Sequence, residues 1–86
     1  MPEISRFLGI SIRMFRDDHP PPHFHATYNE FEAKISIRNP GIIKGSLPPR
    51  VLGYVIEWAS MHEEELARCW EAAGTDQPLG KIAPLT

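Results

Sequence analysis

The stretch His23-Phe24-His25-Ala26-Thr27-Tyr28-Asn29-Glu30-Phe31-Glu32-Ala33-Lys34-Ile35-Ser36-Ile37-Arg38 decides the fold. Phe24, Ala26 and Tyr28 alternate with His23, His25 and Thr27. Phe31, Ala33, Ile35 and Ile37 alternate with Glu32, Lys34, Ser36 and Arg38. Successive side chains of a strand leave opposite faces, so each run is a half-buried strand with one wet side. Asn29-Glu30 predicts a two-residue hairpin turn, because Asn tolerates the left-handed backbone such turns need, although the usual Gly at the second position is missing. That turn sets Tyr28 opposite Phe31, Ala26 opposite Ala33 and Phe24 opposite Ile35, an apolar face throughout. On the other face it sets Thr27 opposite Glu32, His25 opposite Lys34 and His23 opposite Ser36.

Upstream, Phe7 to Arg16 carries Leu8, Ile10, Ile12 and Met14 on one parity and predicts a single strand, which Asp17-Asp18-His19-Pro20-Pro21-Pro22 breaks as an extended loop. Downstream, Asn39-Pro40-Gly41 reads as a turn and Ile42-Ile43-Lys44 as a short edge strand. Ser46-Leu47-Pro48-Pro49 opens a helix, where proline's missing donor is not needed. Leu52, Val55, Ile56, Ala59, Leu66, Trp70 and Ala73 recur at three and four residue steps as its apolar stripe, and Gly74 ends it. On this phase Trp70 belongs to the core, while Trp58 covers the tail or faces a partner. His62 borders the stripe as a packing residue, Cys69 is a small packing residue, and Glu63-Glu64-Glu65 form a solvated face. The expected architecture is α+β: a three- to four-stranded antiparallel sheet with one face covered by a long C-terminal helix. It comprises one domain over residues 1–86, with a sheet half (1–45), a helix (46–74) and an extended tail (75–86).

Composition bounds the function classes. With 86 residues, of which 42% are apolar, the chain builds one core and one principal surface. A single Cys excludes a disulfide framework and a multi-Cys zinc site. No run approaches the roughly 20 apolar residues of a membrane helix, and the first residues lack a leader pattern, so a cytoplasmic protein without membrane contact is expected. The net charge of −2 argues against bulk nucleic-acid binding. That charge is unevenly spread, however. Residues 1–50 hold a basic excess and three of the four histidines, His19, His23 and His25, whereas residues 51–86 are acidic. An anionic ligand therefore belongs on the sheet half.

His23 and His25 are two apart on a strand and leave the same face. That face also carries Arg13, Thr27, Glu32, Lys34, Ser36 and Arg38. One reading makes it a binding surface for RNA or DNA. Its enzymatic version is a metal-independent ribonuclease in which His23 and His25 exchange protons while Arg13, Lys34 and Arg38 hold phosphate. A second reading takes the His-x-His pair as metal ligands, with His19 or Asp18 arriving from the loop; His19, His23 and His25 are the three-ligand set it favours, with a divalent metal as cofactor. A third makes the surface a protein-docking face, and the bland alternative is a solvated sheet face kept soluble by its charges. No Gly-rich phosphate loop or nucleophile motif is present.

The segments Pro2-Glu3-Ile4-Ser5-Arg6-Phe7, Asp18-His19-Pro20-Pro21-Pro22-His23-Phe24-His25-Ala26-Thr27-Tyr28, Leu47-Pro48-Pro49-Arg50 and the Trp58 to Trp70 helix resemble, over the whole chain, the bacterial family named domain of unknown function 4160. Asn29 stands where that family tends to have Gly after the Tyr. The resemblance supplies no activity and no catalytic residues. It implies a toxin–antitoxin-like arrangement: a small partner protein encoded nearby and an RNA or DNA target.

Overall fold

The computed structural model describes residues 3–85; Met1, Pro2 and Thr86, assigned by the sequence to the ends of the sheet half and the tail, lie outside the described residues. Strands β1 (Glu3–Phe7), β2 (Ile10–Arg13), β3 (His23–Tyr28), β4 (Phe31–Ser36) and β5 (Ile42–Gly45) form one antiparallel sheet in chain order, followed by helices α1 (Pro49–Met61) and α2 (Glu63–Ala73). The fold is α+β. The β3–β4 hairpin has the expected register at all six positions, and Asn29 takes the left-handed conformation at φ 53°.

Two features differ from the sequence reading. The sheet has five strands rather than three or four, because Phe7 to Arg16 is not one strand. Leu8 and Gly9 both have positive φ, 52° and 78°, the turn geometry that matches the twist of flanking strands. Leu8 fits the apolar parity yet sits in this turn and is 59% exposed, while Ile10, Ile12 and Met14 are fully buried. β1 escaped notice because a register shift between Glu3 and Ser5 breaks its alternation.

The single long helix is in fact two. His62 leaves helical geometry at φ −125°, ψ 27°. Its N–H bonds the Ala59 carbonyl at 3.2 Å, and its own carbonyl takes the Leu66 N–H at 2.9 Å as the first bond of α2. Glu63, Glu64 and Glu65 thus form the first turn of α2, where carboxylates face the positive end of the helix dipole. His62 Nδ1 donates to Glu65 Oε1 at 2.6 Å.

The two tryptophans stand opposite to the sequence reading: the buried stripe of α1 is Val51, Val55, Trp58 and Ala59, one step round the helix from the expected one. Trp58 is fully buried, with its ring centroid 5.3 Å from Phe7 and 5.8 Å from Phe24. Trp70 is half-buried beside His23. The core lies between one sheet face (Ile10, Ile12, Phe24, Ala26, Ala33, Ile35) and the helices (Val51, Val55, Trp58, Ala59, Leu66). The last residues are tied to this body by backbone groups. Trp58 Nε1 donates to the Ala83 carbonyl at 2.8 Å, and the Ile82 N–H donates to the Ile4 carbonyl at 2.8 Å beside β1. Cys69 donates its thiol to the Leu79 carbonyl at 3.2 Å; burial pushes that thiol's pKa up, which suits a packing residue rather than a nucleophile.

Trp58→Phe removes the indole donor and some buried volume, for an expected loss of about 1–3 kcal/mol in chemical denaturation. Limited proteolysis around Ala83 should accelerate in the variant. An unchanged cleavage rate would show that the indole does not hold the tail.

Candidate functional site

Strand parity sends Phe24 into the core and His23 and His25 to the opposite face. The sequence reading left that face open to solvent. The structure covers its histidine part: His23 is 4% exposed and His25 8%. The cover is the connection between β2 and β3, which folds back over β3. It is anchored by the end of α2, where the Arg16 guanidinium donates to the carbonyls of Thr75 at 2.6 Å, Gln77 at 2.8 Å and Ala72 at 3.4 Å. A cation at the carbonyl end of a helix satisfies acceptors that have no helical partner. The Asp17 N–H adds a bond to the Ala73 carbonyl at 3.1 Å.

Asp18 follows, and its side chain turns inward. Its Oδ2 lies 3.0 Å from His23 Nε2 and 3.2 Å from His25 Nε2, while Oδ1 accepts the His19 N–H at 2.8 Å. Phe15 stands edge-on to the His25 ring at 4.5 Å, and Trp70 lies 5.3 Å from the His23 ring. Burial raises the Asp18 carboxyl pKa. The His19 N–H and the two imidazoles outweigh that effect and hold it below the ordinary aspartate value, so the group is a carboxylate near neutrality.

The hydrogen-bond bookkeeping defines what the cluster can hold. His23 Nδ1 lies 2.8 Å from the Pro21 carbonyl oxygen, and a carbonyl only accepts, so the ring hydrogen sits on Nδ1. His25 Nδ1 is buried without a hydrogen bond, and Glu32 Oε2 lies 3.5 Å from it. The same tautomer in His25 aims its hydrogen at that carboxylate. In that tautomer both Nε2 lone pairs face Asp18 Oδ2, the arrangement that can take a cation; in the other tautomer of His25, its Nε2–H donates to Asp18.

Of the residues expected from the sequence, His23 and His25 come together. His19 is exposed and outside the group, in which Asp18 stands instead; the Asp18, His23 and His25 ligand atoms all lie within 4.8 Å of one another. Arg13 and Lys34 are the direct cross-strand neighbours of His25. Arg38 is exposed beyond the end of β4, 4.0 Å from Glu63, and takes no place in that row. Glu32 as a partner of His25, Lys44 beside Lys34, and the aromatic walls Phe15 and Trp70 were not anticipated. Glu32 was accessible in principle, since the hairpin register puts it one pair along from His25. Lys44 required the β4–β5 register, which the sequence does not specify.

Fold and site together define a small α+β domain with a buried pair of histidines sharing one carboxylate. The chain belongs to the family described as domain of unknown function (DUF4160), whose model matches residues 9–71 and so includes Asp18, His23, His25 and both tryptophans. Neither the comparison with curated proteins nor that with solved structures returned a match.

Asp18 contributes stability that is complete above 3.8, the value for unfolded aspartate, and that is lost as pH falls through its lower folded value. Asp18→Asn should therefore be less stable than wild type at neutral pH, by about 1.5–3 kcal/mol for a charged hydrogen-bond acceptor. In urea unfolding, the difference should shrink as pH drops below the aspartate range. A constant gap down to the acid limit would contradict this assignment.

Proposed function

We propose that this domain binds one divalent transition-metal ion through Asp18 Oδ2, His23 Nε2 and His25 Nε2. The observation that carries this reading is the convergence of two imidazole nitrogens on one carboxylate oxygen, with the far nitrogen of His23 already committed to a backbone carbonyl. A metal-bound histidine is characteristically held this way, its other ring N–H donating to a carbonyl or carboxylate. Ligand atoms about 2.0–2.2 Å from one ion stand about 3.0–3.5 Å apart in tetrahedral or octahedral geometry. The 3.0 and 3.2 Å separations match that spacing. All three ligand atoms lie within 4.8 Å of one another.

Two nitrogens and one carboxylate oxygen favour zinc, iron(II), cobalt or nickel over magnesium or calcium, which prefer all-oxygen sets. Three protein ligands leave coordination positions open, the condition for Lewis-acid chemistry on a bound group. The metal-independent ribonuclease reading draws less support. Both imidazoles are buried, they share one carboxylate, and His23 Nδ1 is occupied, so the pair does not present a free acid and a free base to a phosphodiester.

The test is cobalt(II) and zinc(II) titration of protein purified without a His tag. One equivalent is expected, with a visible cobalt absorption band and release of protons on binding. Asp18→Ala and His23→Ala should abolish the band, and His19→Ala should keep it. Uptake below about a tenth of an equivalent would overturn the assignment, as would a band that persists in Asp18→Ala.

A further inference from the structure

The chain's nine Lys and Arg residues divide by what they touch. Arg6 pairs with Glu3, Arg38 with Glu63 and Arg68 with Glu64. Arg16 holds carbonyls at the end of α2, and Lys81 donates to the Glu3 carbonyl. Among the described residues, Arg13, Lys34, Lys44 and Arg50 make no ion pair and no side-chain hydrogen bond; Arg50 lies in the first turn of α1, and the other three lie on strands. The sheet register lines these three up: Arg13 is the Cα partner of His25, His25 of Lys34, and Lys34 of Lys44. Directly paired residues share a face, so three unengaged cations and a buried imidazole form one row across β2, β3, β4 and β5.

This row is costly on its own. Lys34 and Lys44 face each other as like charges at directly opposed positions, which destabilises a sheet. Their approach is also enforced by the backbone. Gly45 has φ +87°, and a Cβ at this position would collide with the Glu32 carbonyl oxygen, so glycine lets β5 close onto β4 and brings Lys44 beside Lys34. A shallow depression opens there, lined by His25, Glu32, Lys34, Lys44 and Gly45. The buried His25 Nδ1, lacking a hydrogen bond, lies at its wall.

We propose that this row is an anion site whose ligand is a phosphoryl group held by Lys34 and Lys44 in the depression on the Nδ1 side of His25, with Arg13 flanking His25 on β2. The cationic row is an observation separate from the metal reading, because the proposed ion meets the Nε2 side of the same ring. A phosphoryl group carries a charge near −2 and several strong acceptor oxygens. Two lysines match that charge, with Glu32 as the acid that offsets them in the depression. Lysines act here as point charges and read no base, so a free nucleotide and the backbone of a nucleic-acid strand offer the same chemistry.

The experiment titrates cobalt-loaded protein with ADP in one arm and a short single-stranded oligonucleotide in the other, following heat and the cobalt band. Binding in at least one arm is expected. Lys34→Gln and Lys44→Gln should each weaken it about tenfold while retaining a full equivalent of cobalt with an unchanged band. Lys44 is exposed on the edge strand, so its substitution tests the row without disturbing the core. Binding by the oligonucleotide that strengthens with length identifies a strand as the source; preference for ADP identifies a free nucleotide. Cobalt-loaded protein that binds neither probe, or lysine variants that bind as wild type does, would overturn the proposal. Absence of the cobalt band before any probe is added marks failure of the metal reading alone; the probes then test the row on metal-free protein, with the same outcomes.

Discussion

The alternation of β3 couples the core of this molecule to its chemistry. Phe24 is fully buried in edge contact with Trp58, and a strand that points Phe24 inward must point His23 and His25 the other way. Two imidazoles side by side then need both cover and partners, because an unmatched polar group out of water costs about 1–3 kcal/mol. The β2–β3 connection supplies both, and it can do so only because Arg16 and Asp17 fasten it to the carbonyl end of α2. Sheet parity, loop path and helix terminus are therefore three parts of one requirement. A slip of β3 by one residue would exchange its core side chains for its ligands.

Burying a carboxylate with two imidazoles is a local conflict in an otherwise consistent sequence, and such conflicts concentrate where function resides. The pair is incomplete as hydrogen bonding alone: one nitrogen of His25 has no bond, and two ring nitrogens meet one oxygen. On the metal reading proposed above, a bound cation would complete the group, and its binding energy would add to the stability of the folded chain, since the unfolded chain does not gather these three residues. The unengaged Lys34 and Lys44 on the neighbouring strands add positive charge beside His25 on the same face.

What was legible in the sequence follows from how local the determining interaction is. The β3–β4 register was readable because both faces alternate cleanly around Asn29, and turn and strands agree. β1 was not, because Leu8 keeps the apolar parity while occupying a turn, and the irregularity near Ser5 hides the strand behind it. The helix break at His62 was invisible since His62 fits the stripe; only backbone geometry ends α1 there. The direction of the two histidines was legible, their burial was not, because a loop crossing a sheet face is a tertiary event. Asp18 and His19 are neighbours of opposite fate, one turned in and one exposed, and no periodicity exists in a proline-rich loop to tell them apart.

The two edges of the sheet are treated unequally. Beyond β1, the Ile82 N–H occupies the Ile4 carbonyl and Lys81 the Glu3 carbonyl, whereas β5 shows Ile42 and Ile43 at 39% and 44% exposure. Strand-to-strand growth needs two free edges per molecule, one to receive and one to offer. The tail that steadies Trp58 thus also guards one edge of the sheet, and leaves β5 as the edge with exposed apolar side chains.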